Sequence, residues 1–200
     1  MSKLVVSTIE TQNIKYDSDT TAFTIGSDGT TSFSADKIEK IVTGSAQAMS
    51  GTENTITGIP SNAHCIRLYI DGTYKNGSTQ SLFQIGSGSI TTSGYNWRVV
   101  ANSLTSTVYS ESGTSGCNTY MDGASGTGYS VWGYYEVRKL ISTTNRYLIT
   151  GRLMSNNSYY DNNGIGYVDL SGAIDRVRWT TVAGNATFQG GSIFLEYSTT

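Results

Sequence analysis

Side chains able to do chemistry are few in this 200-residue chain, and their spacing weighs against most reactions. His64 is the only histidine and sits directly beside Cys65 at the start of an apolar run. Neighbours on a strand point to opposite faces, whereas a Cys–His dyad needs both groups within roughly 3 Å on one side. His64 therefore reads as structural. Asp122, Glu136, Asp161, Asp169 and Asp175 are the only carboxylates between Ser112 and Ile193. Two of them facing each other would make a glycosidase pair, but in so turn-rich a chain Asp more often closes a turn or caps an element. No D-x-D-x-D-G spacing supports calcium, and one His with two Cys is too few for a dedicated zinc site. No G-x-S-x-G, H-E-x-x-H, Walker or dinucleotide fingerprint occurs. No catalysis, cofactor or metal is expected. Cys65 and Cys117 could form one disulfide, but a reducing cytoplasm would keep them as free, partly buried thiols.

The composition narrows the class further. The chain holds 27 Ser, 28 Thr, 23 Gly and 14 Tyr but one Pro, and only 14% of it is charged. A net charge of −2 without any basic run leaves no electrostatic footprint for nucleic acid. No stretch approaches the ~20 apolar residues of a membrane-spanning helix, so no membrane insertion is expected. The opening Met1–Ser7 turns polar too soon for a secretory signal, which points to synthesis in a cytoplasm. Val, Ile, Tyr and Phe recur throughout and favour strands over disorder.

The elements that must position these side chains are strands. Alternation predicts strands at Thr55–Ile59, His64–Ile70, Leu82–Ile85, Tyr95–Val100, Val131–Lys139, Arg146–Met154, Gly164–Leu170, Ile174–Val182 and Ser192–Tyr197. Turn signals fall between them at Asp71-Gly72, Asn76-Gly77, Asn145, Asn162-Asn163-Gly164, Ala183-Gly184-Asn185 and Gln189-Gly190-Gly191. Strands at this spacing predict an all-β fold: an antiparallel, jelly-roll-like β-sandwich over residues 51–200, with Leu68, Phe83, Trp97, Val137, Leu148, Val177 and Ile193 facing inward. Residues 1–50 read as a short β-rich arm whose apolar positions are Leu4, Val6, Ile14, Tyr16, Phe23 and Ile25. An Asp28-Gly29 turn divides two of its runs. Within the arm, Ser34–Ser50 opens either as one helical turn or as a linker into a strand from Ile41 to Gln47. So few large side chains cannot build a core, so the arm needs another surface. Ala101–Gly128, rich in Ser, Thr and Gly, predicts a long loop. With Ser155–Asn163 it would form an exposed end carrying Tyr109, Tyr120, Tyr159 and Tyr160 as contact residues.

Two stretches together resemble known proteins. The opening Ser2-Lys3-Leu4-Val5-Val6-Ser7-Thr8-Ile9-Glu10-Thr11-Gln12-Asn13-Ile14-Lys15-Tyr16-Asp17-Ser18-Asp19-Thr20-Thr21 is similar to the amino termini of structural proteins from marine and cyanobacterial tailed phages. The closing Leu170-Ser171-Gly172-Ala173-Ile174-Asp175-Arg176-Val177-Arg178-Trp179-Thr180-Thr181 and Phe188-Gln189-Gly190-Gly191-Ser192-Ile193-Phe194-Leu195-Glu196-Tyr197 resemble the last strands of phage tail-fibre-like sandwich domains. Ile66–Ile70 and Phe83–Gly88 look like that domain's early strands. The resemblance implies a virion structural protein, tail-fibre-like, attached through its amino-terminal arm. It also implies a homotrimer contacting other virion proteins of the tail or capsid, and a host surface glycan as a further partner. A capsid decoration or head-fibre protein is the alternative, and a lectin-like or glycan-hydrolysing module the third.

Overall fold

The computed structural model describes residues 13–15, 21–25, 28, 30–33, 40–102, 108–120, 129–140, 144–156 and 160–199. Leu4, Val6, Tyr16, Asp122, Tyr159 and the helical turn considered from Ser34 lie outside them. The chain divides into two compact units, one up to Lys40 and one over Ile41–Thr199. The first contains a three-stranded antiparallel sheet, β1 (Asn13–Lys15), β2 (Thr21–Ile25) and β3 (Thr31–Phe33), which places Ile14, Phe23 and Ile25 on strands. Between β2 and β3 the Asp28 carboxylate accepts from the Thr30 backbone N–H (3.0 Å) and hydroxyl (2.6 Å), closing the turn that Asp-Gly announces.

The second unit is nearly all strand: β4 (Lys40–Thr43), β5 (Gln47–Ala48), β6 (Asn54–Thr57), β7 (Ala63–Asn76), β8 (Ser81–Ser87), β9 (Ser89–Ile90), β10 (Asn96–Asn102), β11 (Val108–Gly113), β12 (Cys117–Asn118), β13 (Val131–Lys139), β14 (Arg146–Ser155), β15 (Tyr160–Asp169), β16 (Arg176–Thr181) and β17 (Thr187–Thr199). They form a wide antiparallel sheet ordered β11-β10-β15-β14-β13-β7-β17-β4, with β5 also on β17, and a narrow one ordered β12-β8-β16-β6, with β9 on β8. The two pack together as an antiparallel sandwich. The expected boundary at residue 50 falls earlier because β4 and β5 hydrogen-bond to β17; the Gly44 N–H donates to the Leu195 carbonyl at 2.7 Å.

Aromatic rings join the sheets. From the wide sheet Tyr135 stacks on Phe83 of the narrow one, with centroids 4.5 Å apart, and meets Trp179 at 5.9 Å and Trp97 at 5.8 Å. All four are buried. Two of these rings turn a polar atom to backbone: the Tyr135 hydroxyl donates to the Cys117 carbonyl (3.1 Å), and the Trp97 indole N–H to that of Asn118 (3.0 Å). Leu68, Phe83, Trp97, Val137, Val177 and Ile193 face inward as expected. Leu148 does not: Tyr147 and Ile149 take the buried positions and Leu148 turns to the outer face. The Tyr147 hydroxyl accepts from the Ile174 N–H at 3.0 Å, fixing that phase.

Three expected turns are instead strand interior. Asn162-Asn163-Gly164 lies within β15, where Asn162 is buried and accepts from the Tyr120 N–H (2.9 Å). Asp71-Gly72 and Gly190-Gly191 face each other across β7 and β17 as bulges, with φ of +61° at Gly72 and +83° at Gly191. A bulge changes which residues face the core, and here the buried set passes from Ile66, Leu68 and Ile70 to Thr73 and Lys75. This lets two strands of 14 and 13 residues stay paired. The expected loop from Ala101 also contains two strands, β11 and β12, of which β11 pairs with β10 from Trp97↔Gly113 to Asn102↔Val108.

Glycine at 151 and 164 is set by the space the rings take. A Cβ at Gly164 would overlap the Trp97 indole, and one at Gly151 would lie 2.7 Å from Tyr135 Cε1. Gly164→Ala should therefore cost about 1–3 kcal/mol by overpacking. Urea unfolding checks this. An unchanged midpoint would mean that the indole does not fill the space above Gly164.

Candidate contact surfaces

The structure brings two of the four expected contact tyrosines together. Tyr109 on β11 and Tyr120 just beyond β12 stack with centroids 4.9 Å apart and an interplanar angle of 17°. Neither is a free loop side chain: both are half-buried, and Tyr120 packs against the core. Tyr160 opens β15 opposite Ser155, while Tyr159 lies outside the described residues. Tyr109 and Tyr120 thus form a braced corner. β11 escaped the sequence because Val108-Tyr109-Ser110-Glu111-Ser112-Gly113 has no apolar alternation; its inward Glu111 accepts from Gln80 Nε2 and Asn118 Nδ2, both at 2.8 Å.

The candidate chemical groups are tied up in the scaffold. His64 Nε2 and Ser198 Oγ lie 3.3 Å apart. Cys65 and Cys117 are both free thiols, and burial pushes Cys117 well above its ordinary pKa, away from the reactive thiolate. Asp169 is held by Arg146 (2.7 Å). Asp175 is held by Arg176 (2.8 Å) and accepts from the Gly88 N–H. Glu136 sits between Arg67 and Arg138, 2.6 Å from each. Of the expected carboxylates, Asp161 stands exposed on the wide sheet. Among the described residues no group of three or more His, Cys, Asp or Glu gathers as a metal site.

Two outer faces remain. On the narrow sheet, the chain between β11 and β12 crosses β8: Gln84 is buried, donates from Nε2 to the Ser115 carbonyl (2.7 Å), and accepts from Arg178 Nε and Nη2 (2.8 and 2.6 Å). Gly116 makes the crossing possible, since a Cβ there would lie 2.7 Å from Leu82 and 2.9 Å from Gln84. Arg178 Nη1 also reaches Glu53 at 2.7 Å. Beside this group opens a shallow depression of about 320 Å³ whose polar lining includes Thr92 and Thr180. Fixed guanidinium, amide, carboxylate and hydroxyl groups of this kind suit a small, hydroxyl-rich ligand. Sequence reasoning missed it, because Glu53, Gln84, Ser115 and Arg178 lie on four separate segments.

On the wide sheet, β17, β7 and β13 carry a row of rings. Phe194 stacks on Tyr69 (4.7 Å, 11°) and Tyr69 meets Tyr134 at 6.0 Å. The Arg67 guanidinium lies 5.9 Å above Tyr134, and the Tyr69 hydroxyl donates to Glu196 at 3.4 Å. Phe194 and Tyr69 thus stack face to face and Tyr134 meets them at a tilt, so the row braces the sheet. No family model, curated protein or solved structure matches the chain.

Burial pushes the Glu136 carboxyl up, but the hydrogen bonds from Arg138 and Arg67 outweigh it and hold the group below its usual range. Arg146 and Arg176 hold Asp169 and Asp175 low in the same way. A carboxyl lowered in the folded state stabilises above its unfolded pKa and loses that contribution as pH falls through the folded one. Stability should be flat near neutrality and fall below about pH 4.3, the ordinary glutamate value. Glu136, the least exposed of the three, should contribute most. Glu136→Gln should flatten the acid limb of urea midpoints measured from pH 7 to pH 3. An equally steep limb in that variant would contradict this.

Proposed function

We propose that the chain is a non-enzymatic structural protein of a tailed-phage virion, tail-fibre-like, that joins the particle through its amino-terminal strands and offers its sandwich as a contact module. The observation that carries this is the division after Lys40: a small three-stranded unit is separate from a sandwich whose carboxylates mostly brace arginines. A sheet of three strands of three to five residues gains by pairing its edges in an assembly. Copies of the chain associating, as in the homotrimer that the phage resemblance implies, would supply that pairing. A rigid sandwich with a polar depression beside Arg178 and a braced tyrosine corner suits adaptable recognition, including that of a host surface glycan.

A capsid decoration role is the second reading, favoured by the absence of any long shaft among the described residues. Deleting residues 2–33 should leave a folded sandwich that no longer enters the particle; normal copy number in the purified virion would overturn attachment by the arm. Particles lacking the protein should adsorb poorly to host cells if it is fibre-like. Normal adsorption with lost heat tolerance would assign it to the capsid instead. Normal adsorption with unchanged heat tolerance would overturn both readings.

A further inference from the structure

The depression beside Arg178 lies on the outer face of the narrow sheet, and register sets its floor. β8 and β16 place Gln84 opposite Arg178 and Leu82 opposite Thr180. All four point away from the core rings Phe83 and Trp179, which are their neighbours along the strands. Ser115 borders the depression from the β12 side and Glu53 from the β6 side, with β8 and β16 between them. Thr92 and the turn at Val182 complete the rim. About 320 Å³ is at the small end of ligand sites, room for a single ring rather than a chain.

The polar groups here are only partly used. A guanidinium carries five N–H donors. In Arg178 the Nε–H and one on Nη2 go to Gln84 Oε1, and one on Nη1 goes to Glu53 Oε2 at 2.7 Å. One N–H on each terminal nitrogen is left over. Among the described residues Glu53 Oε1 accepts no hydrogen bond, and the Thr180 hydroxyl, which donates to the Thr52 carbonyl at 3.0 Å, keeps its lone pairs. Thr92 adds an exposed hydroxyl, and Val182, 49% exposed, adds an open apolar surface beside them.

Charge narrows the ligand. Glu53 matches the guanidinium, and the Nε–Nη2 edge, which grips carboxylates and phosphates in two parallel bonds, is already turned onto Gln84. An incoming anion meets the Glu53 carboxylate, and a cation meets Arg178. A donor and an acceptor held side by side match two adjacent hydroxyls instead. We propose that the depression binds a neutral sugar ring: one hydroxyl accepts from Arg178, its neighbour donates to Glu53, and the C–H face of the ring lies on Val182. This names the ligand of the contact module proposed above and rests on that reading.

Amide NMR shifts of the isotope-labelled full-length chain test this. The probes are the methyl glycosides of glucose, galactose and mannose, with glucuronate as the acidic counterpart. At millimolar concentration at least one neutral probe should shift the amides of Thr92, Ser115 and Val182, and glucuronate should not. Glu53→Gln should weaken the neutral probe about tenfold, the gap between a charged and a neutral acceptor, and should admit glucuronate. Ala183→Leu, on the exposed turn, should fill the space and abolish binding with the far-ultraviolet spectrum unchanged. Glucuronate binding the wild type as tightly as the neutral probes would overturn the proposal, as would a Glu53→Gln variant with both affinities unchanged. Shifts confined to the Tyr109–Tyr120 corner would overturn this site and leave the contact module standing. No shift with any probe would overturn the depression as a sugar site, while the deletion of residues 2–33 tests attachment to the particle separately.

Discussion

The contact between Tyr135 and Phe83 is the constraint on which the rest depends. It is where the two sheets meet ring on ring, with Trp97 and Trp179 packed around it and the tyrosine hydroxyl fixed on the Cys117 carbonyl. Aromatic pairs bury much area and add about 0.5–1.5 kcal/mol beyond it. Around these rings pack the aliphatic side chains of both sheets, among them Leu68, Ile85, Ile149 and Ile193. The consequences spread outward. Two strands must carry glycine at positions 151 and 164 to admit the rings, and β12 must bring the Cys117 and Asn118 carbonyls to the tyrosine hydroxyl and the indole. β11, joined to β12 by a short connection, is then held close to the Tyr109–Tyr120 corner.

That packing shapes what the surface can do. Of the carboxylates that sequence singled out, Glu136 and Asp169 brace arginines of neighbouring strands and Asp175 holds its own neighbour Arg176, which ties the strands of the sandwich together. Free chemistry is left to a broad contact, the depression beside Arg178. It fits a protein whose work is holding on to other surfaces, and this joins the virion reading to the physics of the fold.

The strands with apolar alternation were legible: Val131–Lys139 coincides with β13, and Leu82–Ile85 and Ser192–Tyr197 lie inside β8 and β17. Legibility failed where a residue's meaning depends on a partner far along the chain. Gly164 looks like the end of a turn until the Trp97 indole is placed above it. Gly72 and Gly191 look like two turns until they meet as one paired bulge. Leu148 and Ile149 are adjacent aliphatics, and only the Tyr147 hydroxyl on the Ile174 N–H decides which is buried. β11 is hidden because its inward positions are Tyr109 and Glu111, held by stacking and hydrogen bonds rather than apolar burial.

If Tyr135 joins the two sheets, they should open as one. Native-state hydrogen exchange on Tyr135→Leu, compared with the wild-type chain, tests this most directly. The account predicts that the amides of β8 and β16 on the narrow sheet and of β13 and β14 on the wide one lose protection together, by the same factor. Loss confined to β13, with β8 and β16 protected as before, would contradict it.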